Sequence, residues 1–205
     1  MGETGIFMSC ASLDLDAGAM RGRLARLLLE KSYRAGEVTL TSGRKSDYYF
    51  DCKQTALHPE GAWLIGNLLF DQLPADIVGV GGMTLGADPL VTAVSIASHL
   101  RGKPMPAFIV RKASKGHGTN QFLEGLSNFK PGDKVALLED VVTTGGTLLT
   151  VIDRVEAAGL VVGAVVTVLD RGEGGSEKLA ERGFPLLSVF TREALLCAAN
   201  QQPAS

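Results

Sequence analysis

Five short runs in the second two-thirds of the chain, near residues 77–80, 106–110, 135–138, 161–169 and 186–190, are apolar without alternating polar positions. A strand that is apolar on both sides must be covered on both sides. Segments with helical periodicity, over 89–100, 147–158 and 176–182, separate most of the runs, and a polar stretch to about 129 fills the remaining gap. This alternation predicts an α/β fold, a mostly parallel five-stranded sheet flanked by helices. A last helix is expected over 192–199.

The N-terminal part has a different rhythm. Residues 1–18 show neither period and read as a loose extension. Over 19–32 the pattern is helical, with Met20, Leu24, Leu27 and Leu28 on one face and Arg21, Arg23 and Arg26 elsewhere. Two short strands are expected over 37–40 and 47–53, joined by turn-forming residues at 41–46. Pro59 then opens a helix to about 73. The expected organisation is one domain over 19–205, with a small hood mainly from 19–55 and a core from about 60–200.

Composition removes several classes of function. At 205 residues the chain can bury one core without staples. Its 20 Lys and Arg against 22 Asp and Glu give a net charge of −2, so no overall field collects nucleic acid. The longest nearly unbroken apolar stretch, 160–169, is about half the ~20 residues a membrane span needs. Glu3 and the lack of a basic leader argue against a secretory signal. Cys10, Cys52 and Cys197 are odd in number, far apart and without zinc spacing, which suits free thiols in a reducing cytoplasm. His58 reads as a helix-start residue, His99 as a surface or satisfied core residue, and Asp88 as a cap on the following helix.

The chemistry concentrates in LLEDVVTTGGTLLT, residues 137–150. An apolar strand ends in Glu139 and Asp140, a Thr- and Gly-rich loop follows, and an amphipathic helix starts near Thr147. Gly145 and Gly146 let backbone N–H groups converge, the helix start adds more donors, and Thr143, Thr144 and Thr147 add hydroxyls. Such a loop cradles a phosphate. Two carboxylates beside a phosphate repel it unless they hold something else, and ribose hydroxyls or hydrated Mg²⁺ are natural partners. The expected ligand is therefore a phosphate joined to a polyol. The string lacks the Gly-Lys-[Ser/Thr] of a Walker loop, and no G-x-G-x-x-G is completed at 79–84 or 172–177.

Three further segments carry candidates. Arg111, Lys112, Lys115 and His117 lie within eight residues interrupted by glycines, as a cationic flap over a polyphosphate leaving group requires. Arg171 follows the strand at 161–169, and ligands of α/β sheets sit beyond the carboxyl ends of strands. Its guanidinium suits a carboxylated base better than adenine. The segment SGRKSDYYFDCKQT at 42–55 supplies Tyr49 and Phe50.

The string at 137–150 resembles the phosphoribosyl pyrophosphate signature of type I phosphoribosyltransferases: apolar strand, two acids, two apolar residues, then Thr and Gly. The segment at 111–118 resembles the catalytic loop of the orotate phosphoribosyltransferases in particular, and the likeness runs from about 20 to about 195. The resemblance implies a type I phosphoribosyltransferase fold and the transfer of ribose 5-phosphate from phosphoribosyl pyrophosphate to orotate. It implies that Arg111, Lys112, Lys115, His117, Glu139, Asp140, Val141, Val142, Thr143, Thr144, Gly145, Gly146 and Thr147 bind phosphoribosyl pyrophosphate. Lys112, Lys115, His117 and Asp140 would carry catalysis, and Thr143, Arg171, Tyr49 and Phe50 would take orotate. Mg²⁺ would be held mainly through the substrate. A homodimer is implied, with loop 111–118 acting on the neighbouring subunit. Two positions depart from the pattern: many members carry Lys where Thr41 and Leu85 stand, both touching substrate phosphates. Arg44 or Lys45 can compensate for the first, and the sequence offers no substitute for the second. The rival expectations are transfer to another base, distinguished by competing base assays, and a phosphoribosyl pyrophosphate-sensing regulator, distinguished by nucleic-acid binding without turnover.

Overall fold

The computed structural model describes residues 16–39, 45–113 and 122–200. Helix α1 (Ala17–Lys31) starts earlier than its periodicity suggested, because Asp16 caps it and accepts a 2.7 Å hydrogen bond from the Ala19 N–H. Strands β1 (Tyr33–Thr39) and β2 (Lys45–Phe50) pair antiparallel as a separate two-stranded sheet. A short helix α2 (Lys53–Ala56) follows β2, and α3 (Pro59–Asp71) has its proline in the first turn, where no N–H is missed.

The main sheet contains β3 (Gly79–Met83), β4 (Ala107–Val110), β5 (Leu123–Glu124), β6 (Lys134–Val142), β7 (Val161–Asp170) and β8 (Leu186–Thr191), in the order β5-β4-β3-β6-β7-β8. Five of these strands are parallel, as the apolar runs required, and the two-residue β5 pairs antiparallel with β4 at one edge. Helices α4 (Asp88–Leu100), α5 (Gly146–Ala157), α6 (Gly175–Glu181) and α7 (Arg192–Asn200) complete the described elements with a 3₁₀ turn at Leu126–Asn128.

Side chains of β6 alternate between two cores. Ala136 and Leu138 join α1, α3, α4 and the hairpin residues Tyr48 and Phe50 on one face. Val135 and Leu137 join Leu148, Val151, Ile152 and Val155 of α5 on the other. The first helix therefore packs into the layer beside α3 and α7, sharing one core with the sheet.

Several boundaries correct the sequence reading: the hairpin strands expected over 37–40 and 47–53 lie at Tyr33–Thr39 and Lys45–Phe50, and Lys53 falls in α2. The strand expected over 135–138, ending in Glu139 and Asp140, runs from Lys134 to Val142, paired with β7 through Val142↔Asp170. Ladder hydrogen bonds belong to the backbone, so two acidic side chains do not end a strand whose neighbour also continues. The chain leaves β3 for β4 on one side and returns through β6 on the other, so the topology switches between β3 and β6. A crevice beyond the carboxyl ends of strands is expected at such a point.

Candidate active site

The crevice is present. A cavity of about 350 Å³ is lined by Met83 at the end of β3 and Thr84, Leu85 and Gly86 after it, by Glu139 to Leu148 from the end of β6 into the start of α5, and by Lys53 and Lys112. The Thr84–Leu85 peptide is cis. Thr84 donates a 2.9 Å hydrogen bond from Oγ1 to Asp88 Oδ2, which ties this turn to the start of α4. Asp88 thus holds a cavity-lining side chain, and the cap position itself falls to Ala87.

Glu139 and Asp140 occupy the cavity centre. Glu139 is 9% exposed, and burial together with the adjacent Asp140 carboxylate pushes its carboxyl well above the usual range. Asp140 accepts from the Val141 N–H at 2.9 Å through Oδ1, and its own N–H donates to Glu139 Oε1 at 3.3 Å. Gly86 passes so close that a Cβ there would lie 2.7 Å from Asp140 Oδ1 and 3.0 Å from Glu139 Oε1. Only a residue without a side chain allows the turn to close on this carboxylate pair. Behind the acids Cys52 is fully buried, and burial and then Asp140 push its thiol up, which suits packing and not nucleophilic attack.

The cradle follows. Gly145 adopts φ +71°, the left-handed conformation, directly before α5, and Gly146 to Thr147 begin the helix on the cavity wall. Thr144, Gly146 and Thr147 are exposed there. A Cβ on Gly175 would lie 2.5 Å from the Thr143 carbonyl and 3.0 Å from the Gly145 nitrogen, so the start of α6 is packed directly beneath the loop. A helix start with turn amides before it is an arrangement that can accept one phosphate.

The base side lies along the same sheet edge. The Arg171 N–H donates to the Val142 carbonyl at 3.0 Å, which anchors the residue beside the cradle. Its side chain is 7% exposed, pairs with Glu173 at 2.8 Å and stacks 4.5 Å over the Tyr48 ring. Arg192 of α7 stacks on the same ring at 4.4 Å and pairs with Asp47 at 2.7 Å.

The expected residues are distributed unevenly over these features. Glu139 to Thr147 converge on the cavity with Lys112. Arg111 points elsewhere, pairing with Glu124 at 3.2 Å while its carbonyl accepts from Arg154 at 2.6 Å. Lys115 and His117 lie outside the described residues, as do Thr41 and Arg44. Tyr49 is 42% exposed and Phe50 is buried in the core, on opposite faces as strand alternation requires, so the pair cannot overlie one ligand ring together. The aromatic that meets Arg171 is Tyr48. Counting alternate positions in β2 separates Tyr48 and Phe50 from Tyr49, but sequence carries no signal that Arg192 would arrive on the same ring. Lys53 on the cavity wall was also not anticipated.

Fold, cradle and edge arginine define a phosphoribosyltransferase, and the phosphoribosyl transferase domain family matches residues 87–190. The chain belongs to the type I phosphoribosyltransferases, in the orotate phosphoribosyltransferase group. Orotate phosphoribosyltransferase of Nostoc sp. is 47% identical over 86% of this chain and 85% of its own length. That of Thermosynechococcus vestitus is 47% identical over 87% of this chain and 94% of its own. Among solved structures, Mycobacterium tuberculosis H37Rv orotate phosphoribosyltransferase superposes with a TM-score of 0.74 at 39% identity, covering 86% of this chain and 98% of that one. The same protein in complex with 5-phospho-alpha-D-ribosyl 1-diphosphate gives a TM-score of 0.69.

Proposed function

We infer that the chain transfers ribose 5-phosphate from phosphoribosyl pyrophosphate to orotate, forming orotidine 5′-monophosphate and diphosphate in pyrimidine synthesis. The observation that carries this reading is the placement of Arg171 and the phosphate cradle on one sheet edge, joined through the Arg171 N–H and the Val142 carbonyl. A guanidinium at this position can grip orotate's carboxylate, and the relatives named for the orotate reaction cover most of the chain.

Thr143 to Thr147 fix the 5′-phosphate. Glu139 and Asp140 face the ribose hydroxyls, and Asp140 steadies the positive charge that develops on the ribosyl ring. Orotate lies against Arg171 and Thr143 with its ring nitrogen toward the anomeric carbon, while the buried Tyr48 ring backs the Arg171 guanidinium. The bond from that carbon to the diphosphate oxygen breaks with its electron pair leaving on the diphosphate, and the ring nitrogen forms the new bond while its N–H proton passes to solvent or to the departing diphosphate. Lys112, with Lys115 and His117, stabilises the departing charge. Most of the acceleration is positioning and electrostatics.

The donor set fits Mg²⁺: two adjacent carboxylates, one held above its usual range by burial and mutual repulsion, which a divalent cation relieves. When bound, the ion neutralises the diphosphate and polarises its oxygens. As the resemblance implies, the ion would be held mainly by substrate oxygens, with Glu139 and Asp140 facing it.

The cytoplasm is the proposed compartment. Cys52 and Cys197 are free thiols, and among the described residues no helix is long and apolar enough to cross a membrane. A homodimer is proposed from the resemblance, with loop 111–118 serving the neighbouring site. Lys112 lines the cavity of its own chain in the structure, which makes subunit mixing a direct test. Lys112→Ala and Asp140→Ala proteins, each strongly impaired, regain activity when mixed if the lysine acts across the dimer. No recovery in a mixed dimer overturns that arrangement.

Ultraviolet-monitored loss of orotate with phosphoribosyl pyrophosphate, with and without Mg²⁺, tests the reaction. Product from adenine or uracil but none from orotate overturns it.

A further inference from the structure

Lys53 is a charged residue on the cavity wall that neither the cradle nor the base side uses. It opens α2 immediately after β2, and its ammonium lies 2.7 Å from Asp51 Oδ1 and 3.9 Å from Asp140 Oδ2. The first contact is a charge-assisted hydrogen bond; the second is too long for one. One of three N–H donors is thus committed, and the head is placed beside the central acid with donors to spare. The hydrogen bond to Asp51 raises the lysine's pKa, which keeps it charged.

The cavity's ends differ. At one end the start of α5 offers backbone donors to a single phosphate. A sugar held over Glu139 and Asp140, with its 5′-phosphate there, must extend its diphosphate toward the other end, along the turn at 84–86. Gly86 lies against Asp140 Oδ1 while Lys53 stands beside Oδ2 of the same carboxylate, so Lys53 belongs to that end. The turn itself presents Leu85, 68% exposed, an apolar side chain where polyphosphate would lie. Among the described lining residues the cations are Lys53 and Lys112, against the carboxylates of Glu139 and Asp140.

Resting on the reading above, we propose that Lys53 is a diphosphate-binding residue, supplying from α2 the positive charge that the turn at Leu85 lacks. The Asp51 pair aims the ammonium, and diphosphate binding then uses the donors left over.

The test uses the full-length protein and inorganic diphosphate with Mg²⁺, measured by calorimetry, beside steady-state kinetics. Lys53→Ala weakens diphosphate binding and raises KM for phosphoribosyl pyrophosphate by roughly tenfold or more, the loss expected for one charge-assisted contact. The orotate KM stays within about twofold, and Lys53→Arg retains most of the affinity. Leu85→Lys added to Lys53→Ala restores diphosphate binding, and restores it by more than Leu85→Lys gains in the wild-type background. Unchanged diphosphate affinity in a folded Lys53→Ala protein overturns the proposal. So does a lower kcat with diphosphate affinity intact, the mark of a structural role through Asp51, or equal gains from Leu85→Lys in both backgrounds. Diphosphate binding is read without any base, so a wild-type protein that binds diphosphate but leaves orotate untouched sinks the reaction and not this assignment.

Discussion

The phosphate side and the base side of the site share a sheet edge but are built in opposite ways. The first is contiguous: Glu139 to Thr147 run through one strand end, one turn and one helix start. The second is assembled: Tyr48 comes from β2, Arg171 from the end of β7 and Arg192 from α7, and Arg192 meets Asp47 across a separation of 145 residues. Their electrostatics are opposite too. The contiguous side holds two adjacent carboxylates, one of them deeply buried, with a lysine 3.9 Å away. The assembled side is already compensated, because Arg171 is paired with Glu173 and Arg192 with Asp47. On the proposed function, the first side would hold an unmet demand for cations that substrate binding satisfies. On the same proposal, the second would trade one carboxylate partner for another, so that its discrimination among bases would rest on geometry.

If the two sides divide the work in this way, substitutions on them should separate in kinetics. The largest effect is expected at the phosphate end. Lys112→Ala should lower kcat by roughly 10²–10³, as loss of one donor to a developing charge does, while the orotate KM changes little. Steady-state rates with a melting curve as the folding control check this, and unchanged turnover in a folded variant removes Lys112 from the chemistry. Arg171→Met should act the other way. It should raise the orotate KM by roughly ten- to a hundredfold while KM for phosphoribosyl pyrophosphate stays near wild type, because a buried bidentate contact is lost on the base side alone. Equal increases in both KM values would mean that the sheet edge behaves as one unit and that the comparison fails.

The same contrast explains what the sequence revealed. The cradle was legible because its chemistry is local: two acids, two threonines and two glycines in order dictate a turn and a helix start whatever the rest of the chain does. The five parallel strands were legible because burial on both faces leaves a compositional mark. The end of β6 was not, since continuation to Val142 depends on pairing with β7, a backbone property that two charged side chains conceal. Tyr48, Arg192 and Lys53 were not legible either. Each reaches the site through tertiary packing: Tyr48 by facing inward from a hairpin, Arg192 by the docking of α7, and Lys53 by a single turn of helix too short and polar to show a period. The need for glycine at 86 is a tertiary property too, since the carboxylates it must clear come from β6.

The smallest expected effect tests whether the phosphate side really is under electrostatic tension before substrate arrives. Burial holds the Glu139 carboxyl well above the usual range, with Asp140 adding repulsion, so the folded protein favours its neutral form more than the unfolded chain does. That contribution to stability is fully present below the unfolded-state pKa and is lost as pH rises through the folded-state value. Glu139→Gln removes the ionisation while keeping size and hydrogen-bonding capacity. Without ligand, its melting temperature should match wild type in acid and exceed it at neutral to alkaline pH. With phosphoribosyl pyrophosphate and Mg²⁺ the order should reverse, because the wild-type carboxylates then hold the ribose and its cation while the variant has lost one of them. Melting curves across pH, with and without this ligand pair, read both halves. A Glu139→Gln protein that is no more stable than wild type at alkaline pH would show that its neighbours already satisfy this carboxylate, and the contrast between a tense phosphate side and a compensated base side would not hold.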